Sequence, residues 1–353
     1  MKLFKLAITC SLIVSSLLAI EPISKESGWS GFVLLGAGTI EYENNEVAGN
    51  QMVDVEDKTI SNYGSPNSQS TAIPVFTGTV KYTLEDKKTE IFIGNSLEDY
   101  LRMDSSLSLG IRHDFKDVGI LGIRLLASTV PTDVWEDPFY KGGDRTDTER
   151  TSAGIGLKWE SIFGSNFEID MRARNIEFDK DRNGASLNEN LGGNGAAGTS
   201  TGDNGAMYIS DAGQRLLERE GSIAITEILY TYTLNDSNIF VPSVKFTNDD
   251  RDGDARDYTK AEIKISHMYH NKRWVYVGNI FVGSSEYDED NPVFGKKQDT
   301  DFIGAGINVT YKNIFNLKNW SLNAGVYASE GDSDIDFYDT EIFMATIGMA
   351  YRF

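Results

Sequence analysis

Leu107-Ser108-Leu109-Gly110-Ile111-Arg112-His113-Asp114-Phe115 and, a few residues on, Leu121-Gly122-Ile123-Arg124-Leu125-Leu126-Ala127-Ser128 share one pattern. In the first segment Leu107, Leu109, Ile111, His113 and Phe115 take one set of alternate positions, and Ser106, Ser108, Gly110, Arg112 and Asp114 take the other. Successive side chains of an extended chain point to opposite sides, so each segment reads as a strand with one apolar and one polar face. Lys116 and Asp117 open the tight link between them.

The same alternation extends outward in both directions. Ala153, Ile155, Leu157 and Trp159 oppose Gly154, Gly156, Lys158 and Glu160, and Phe167, Ile169, Met171 and Ala173 oppose Glu168, Asp170, Arg172 and Arg174. Toward the C-terminus it returns from Lys260 to Tyr269, from Ile303 to Tyr311, from Trp320 to Ala328 and from Phe343 to Phe353. Weaker cases run from Gly28 to Tyr42, Ile73 to Leu84, Thr89 to Leu97, Gly221 to Thr233, Asn238 to Thr247 and Arg273 to Ser284. Their phase follows if Lys81, Glu90, Glu227 and Lys245 face inward, since a charge in lipid costs about 2–4 kcal/mol at the midplane. The expected fold is an all-β, antiparallel transmembrane barrel of fourteen strands, with twelve and sixteen as the neighbouring counts.

The links support this arrangement. Those at 43–71, 131–149, 179–220 and 285–298 are long and those at 98–103, 248–257 and 330–340 are of medium length, whereas the intervening ones, such as 85–88, 116–117, 162–164 and 270–272, are short. Short turns on one rim and long loops on the other are the layout of a barrel in a bilayer, with both termini expected on the periplasmic, short-turn rim. Closure is required because an open sheet edge has no hydrogen-bond partner in lipid.

Whole-chain composition hides this pattern. The 353 residues are 40% hydrophobic with formal charge -20, mean hydropathy is -0.32 and the pI is near 4.6, values of an acidic soluble protein. A single Cys excludes a disulfide scaffold, and the charge excludes a nucleic-acid binder. No 18-residue apolar run offers a helical span. The 34 Gly, 18 Phe and 16 Tyr beside 7 Pro favour strands.

At the N-terminus, Lys2 and Lys5 precede a short apolar run ending in Leu17-Leu18-Ala19, the plan of a secretory signal peptide over 1–19 with cleavage after Ala19. A signal anchor is the alternative, but the run is short of a bilayer span. Cleavage would remove Cys10 and both lysines, moving the charge from -20 to -22 and leaving 20–27 as a periplasmic segment before the barrel at 28–353.

Tyr82, Phe115, Trp159, Tyr230, Tyr232, Trp274, Tyr276, Tyr311, Trp320 and Tyr351 cluster near the short-turn ends, where an interfacial aromatic girdle would lie. The chain ends Ile347, Met349, Tyr351, Phe353 at alternate positions. Together these features resemble the outer-membrane β-barrel proteins of diderm (Gram-negative) bacteria over essentially the whole mature chain. The resemblance implies that Tyr351 and Phe353 form the signal read by the barrel-assembly machinery. The opening Ile23-Ser24-Lys25-Glu26-Ser27-Gly28-Trp29-Ser30-Gly31-Phe32 is also similar to that of an uncharacterised porin-like outer-membrane family. Fatty-acid transporters share the strand count but carry an N-terminal plug, for which the segment between Ala19 and Gly28 is short.

Inner-face charges follow from the strand phases. Lys81, Arg112, Arg124, Lys158, Arg172, Arg174, Lys245, Lys260, Lys264 and Arg352 stand against Glu90, Asp114, Glu160, Glu168, Asp170, Glu227 and Glu262, a wall of +3 that leaves -25 to loops, turns and the N-terminal segment. Arg112, Arg124, Lys158, Arg172 and Arg174 form a basic stripe, with Lys260 and Lys264 further round. Such a ladder biases a pore toward anions; pairing with Glu160, Glu168, Asp170 and Glu262 would instead fill the lumen.

The loops hold two further features. Asp179, Asp181 and Asn183 before Gly184, and Asn248, Asp250 and Asp252 before Gly253, space oxygen ligands as half of a calcium loop, though Asn190 and Thr259 replace the closing Glu. Weak loop-bound Ca²⁺ is the one cofactor these residues offer, and acidic surface loops are the alternative. Within 179–220, a glycine-rich run at 192–195 precedes Asp211-Ala212-Gly213-Gln214, which reads as a capping box opening a short helix. This loop either enters the lumen or stands outside. His113, His267 and His270 lie near short turns, and no Walker, HExxH or Gly-x-Ser-x-Gly pattern appears, so no catalytic residue is assigned. The functional expectation is passive diffusion of small hydrophilic solutes through a porin-like channel bounded by lipid and lipopolysaccharide. A non-conducting structural or surface-interaction barrel is the alternative.

Overall fold

The structure is a computed structural model in which residues 22–95, 105–188 and 207–353 are described. The signal-peptide segment 1–19, Asn190 and the run 192–195 lie outside them. Fourteen strands span the barrel: β1 (Gly28–Glu43), β2 (Ser68–Thr83), β3 (Thr89–Asn95), β4 (Ser105–Asp114), β5 (Ile120–Val130), β6 (Asp147–Glu160), β7 (Phe167–Phe178), β8 (Gly221–Tyr230), β9 (Asn238–Arg251), β10 (Tyr258–Asn271), β11 (Trp274–Tyr287), β12 (Thr300–Lys312), β13 (Trp320–Ser333) and β14 (Thr340–Arg352). Each pairs antiparallel with the next. The sheet closes on itself where β1 meets β14, from Phe32 opposite Arg352 to Glu43 opposite Glu341. Phe353 completes the seam by exchanging backbone hydrogen bonds of 3.1 Å with Gly31. The start of β1 and the end of β14 therefore sit on the short-turn rim.

The two faces separate as the alternation requires. Leu109, Ile111, Ile123, Leu125, Ile155, Leu157, Ile263, Ile265, Ile280, Val282, Ile303, Ile307 and Ile347 are exposed on the outside. A soluble monomer rarely exposes more than a few hundred Å² of contiguous apolar surface, so a belt on this scale belongs in lipid. At its short-turn edge the aromatics pair: Trp29 with Tyr82 at 5.0 Å, Trp159 with Phe163 at 5.2 Å, Phe167 with Tyr230 at 4.7 Å, Trp274 with Tyr311 at 4.7 Å and Trp320 with Tyr351 at 5.0 Å. Rings that are apolar in body and polar at one atom suit that boundary.

The first long link departs from a plain loop. β2 begins at Ser68 rather than Ile73, and short strands Val47–Asn50 and Val53–Asp54 form inside the link. The first of them pairs with Thr132–Trp135, which continues β5 past Pro131. Val47, Val53 and Val55 then pack with Val134 on inward residues of β1, β2 and β14, among them Phe32, Leu34, Ile40, Tyr42, Ile73, Val75 and Met344. An apolar inner wall, covered by an inward-folded link, thus lies where a polar lumen was expected.

Candidate functional site

The opposite inner wall is ionic, and seven of its charges fall on one rung of the sheet. Cross-strand register runs from Glu90 to Arg112, Gly122, Lys158, Asp170, Glu227, Lys245 and Glu262, one residue on each strand from β3 to β10. Because barrel strands tilt, the rung climbs like a ramp, from the short-turn end of β3 toward the middle of β10. Each side chain has an opposite charge within reach. Arg112 donates to Glu90 at 2.8 Å and to Glu160 at 3.1 Å; Lys158 lies 2.9 Å from Glu168 and 3.3 Å from Glu160. Arg124 lies 2.7 Å from Asp170, Lys264 3.0 Å from Glu227 and Lys245 3.3 Å from Glu262. Arg172 is 3.3 Å from Asp170 and 3.9 Å from Glu227, and Arg174 reaches Ser106 at 3.3 Å.

Glycines make these reaches feasible. Arg112 stands opposite Gly122 and extends across it to Glu160 on the strand beyond. Arg124 lies over Gly156, where an added Cβ would stand 2.7 Å from its Nε, and so arrives at Asp170. The basic stripe is therefore part of a paired network, with long cations laid flat over glycines and carboxylates beneath. The layering has a sign. The Lys158 side chain is 24% exposed against 2% for Glu160 and 4% for Glu168, and Arg112 is 9% exposed against 3% for Glu90. At Lys158 and Arg112 the cation thus stands nearer the lumen than its carboxylates, whereas Arg124 and Asp170 are equally exposed and Lys245 is no more exposed than Glu262.

Above the lumen the long loops meet. Ile60 and Tyr63 follow β1, Phe139 follows β5, Leu187, Ile209 and Leu217 follow β7, Val293 and Phe294 follow β11, and Ile335, Phe337 and Tyr338 follow β13, yet all share one apolar core. The stacking of Phe139, after β5, on Phe337, after β13, joins loops from distant parts of the rim and so bridges the mouth. Phe139 is the hub, fully buried, with Phe337 stacked at 4.9 Å and Tyr63 and Phe294 each at 6.1 Å. Two arginines fasten this cap to main chain: Arg145 donates to the carbonyls of Asn45 (2.9 Å), Pro138 (3.1 Å) and Asp57, and Arg219 to that of Trp135 (2.9 Å). Arg256 joins Glu46 at 2.9 Å and lies over the Tyr338 ring. Burial pushes the Tyr338 phenol up to about 12, with Arg256 opposing and Glu46 adding to the rise. The described part of 179–220 belongs to this cap. Its short helix, Asp211–Arg215, is capped by Ser210, whose side chain accepts from the Gly213 N–H, one residue earlier than the sequence pattern placed it.

The remaining candidates are dispersed. Asp181 is engaged by Arg219 at 2.9 Å, and Asn183 donates to the Leu217 carbonyl. Asn248 and Asp250 lie in extended β9, on its exposed side, with Asp252 just beyond. Asp179 joins the sheet edge by donating to the Glu149 carbonyl. Among the described residues no group of three His, Cys, Asp or Glu is placed to hold a metal ion. His113 meets Thr89 at 2.8 Å and His267 meets Asn238 at 3.0 Å while stacking on Phe240, and His270 bonds the Asp236 carbonyl. Tyr351 and Phe353 stack at 6.3 Å on the outer face of the seam.

Sequence reasoning passed over Phe281, Phe302 and Tyr327, which also face inward. Phe302 sits one residue before the strand as read from Ile303, although its phase matches Gly304 and Gly306. It passed over Arg145, Arg219 and Arg256 too, which no periodicity marks.

No curated protein sequence matches the chain. Solved structures that resemble it include a loop L8 deletion mutant of OmpT, an outer membrane protein of Vibrio cholerae, at 13% identity and TM-score 0.39, covering 92% of this chain and 100% of that one. The outer membrane channel DcaP of Acinetobacter baumannii gives 9% and 0.40 over 95% and 100%, and the COG4313 outer membrane channel of Pseudomonas putida F1 gives 9% and 0.44 over 95% and 100%. A family model matches residues 28–195 and 199–352, ranges that take in all fourteen strands. This transmembrane β-barrel belongs to the family described as protein of unknown function DUF2860.

Proposed function

We propose that the barrel is a channel for small hydrophilic solutes with a mild preference for anions. The layering of the ionic wall carries this reading, because Lys158 and Arg112 stand nearer the lumen than the carboxylates that balance them. Cations lining a pore at close range bias it toward anions even where the net charge is small. In this reading the short turns face the periplasm, lipid and lipopolysaccharide surround the belt, and Tyr351 and Phe353 engage the assembly machinery. The test is reconstitution of the folded protein in planar bilayers across a KCl gradient. Discrete conductance steps with a reversal potential displaced toward that of chloride are expected. Cation-selective steps would remove the anion preference, and silence from protein that runs as a compact, heat-modifiable band would remove the channel.

A second reading draws on the cap, whose shared core over the mouth favours a non-conducting barrel serving envelope integrity or surface interaction. Loop deletions that alter adhesion or envelope leakage while leaving solute uptake unchanged would select it.

A further inference from the structure

We infer that the lumen holds a binding site for an aromatic carboxylate, formed by Phe281, Phe302 and Tyr327 with Lys260, an assignment that rests on the channel reading for the ligand's route. The three rings project inward from β11, β12 and β13, since Ile280, Val282, Ile303 and Val326 beside them are exposed on the outer face. Phe281 lies 6.3 Å from Phe302 and 6.2 Å from Tyr327, the latter pair stacked at 19°. Two of the rings reach over glycines of the neighbouring strand. An added Cβ on Gly304 would stand 2.2 Å from the Phe281 ring, and one on Gly283 would stand 2.3 Å from the Phe302 ring. All three residues are only half-buried, which leaves part of the cluster open to the lumen.

Charge stands beside them. The Lys260 Nζ is 3.5 Å from the Phe302 ring centroid. The charged rung ends here, for Glu262 is followed across the sheet by Gly283 and Phe302, and Lys264 is paired in register with Phe281. A planar ring with an attached carboxylate meets both surfaces at once, its ring on the aromatic platform and its carboxylate at Lys260. Acetate would find only the charge and a neutral aromatic only the platform. The competing role for the rings is purely structural, as covers for glycines in a strand.

Calorimetric titration of the folded, detergent-solubilised protein with benzoate, acetate and benzyl alcohol separates these roles, with block of bilayer current by benzoate measured in parallel. Benzoate is expected to bind about tenfold tighter than either of the others, from ring stacking and charge pairing together. Phe302→Leu keeps bulk over Gly283 but removes the ring face, and should weaken benzoate about threefold; Lys260→Gln should abolish the advantage over benzyl alcohol. Equal binding of benzoate and acetate overturns the inference, as does unchanged benzoate affinity in a folded Phe302→Leu protein. Conductance without benzoate binding leaves the channel and removes the site. Benzoate binding without conductance leaves the site and removes the channel, and absence of both removes both.

Discussion

The wall from β3 to β10 and the wall from β11 through β14 to β2 face the same lumen with opposite chemistry. The first has Glu90, Arg112, Lys158, Asp170, Glu227, Lys245 and Glu262 on a single rung, the second has Phe281 and Phe302 and, beside or under an inward-folded link, Tyr327, Met344, Leu34, Ile40 and Val75. Apolar contacts lose energy gradually as area is lost. A buried charge behaves differently, because removing its partner leaves the whole desolvation cost standing. The ionic wall should therefore fail abruptly under single substitutions, and the apolar wall and cap by degrees.

The sharpest break should come from Glu160→Ala, which strips a partner from both Arg112 and Lys158. Loss of about 3–5 kcal/mol is expected, read as a lowered urea midpoint for unfolding in detergent. A loss no larger than that of an exposed acid would show that the rung is solvated. Phe139→Ala, at the hub of the cap, should cost about 3 kcal/mol, but in the loops alone. The expected readout is rapid protease cleavage in the loops with barrel unfolding unchanged, and a coincident fall in barrel stability would merge the two regions.

Alkali sharpens the same contrast. The Tyr338 phenol ionises near 10 when unfolded and only near 12 when folded, so its contribution is complete below pH 10 and lost as pH rises from about 10 to 12. That shift is worth roughly 2–3 kcal/mol. Loop proteolysis should rise across this window while the barrel persists, and Tyr338→Phe should flatten the rise. The smallest effect expected is that of Gly156→Ala, about 1–2 kcal/mol, as Arg124 is pushed off the strand and away from Asp170. Its signature is a changed reversal potential with a near-normal unfolding midpoint.

The strands were legible because lipid enforces a period of two. Placing Glu90, Glu227 and Lys245 inward set the phase of the three weak segments that carry them, and all three are buried on the inner face. The rung was not legible, because register depends on turn lengths and strand tilt that no single segment encodes. Its trace was nonetheless present in Gly122 and Gly156, each standing where a neighbouring arginine must pass. The first long link, 43–71, misled for another reason. Val47, Val53 and Val55 are too few to show a period, and the cluster that buries them draws on Val134, Met344 and Ala350 as well as on the flanking strands. Arg145, Arg219 and Arg256 look like ordinary loop cations until the chain brings carbonyls to them.

Arg145 makes its hydrogen bonds to carbonyls, and Arg219 combines a carbonyl with the Asp181 side chain. Arg145 grips the main chain at Asn45, Asp57 and Pro138, and Arg219 grips it at Trp135. A donor that recognises only the path of the backbone is indifferent to what the gripped residues display outward. The solvent-facing side chains of the cap are thereby released from structural duty. Substitutions on that outer surface are expected to leave the lid's shape unchanged.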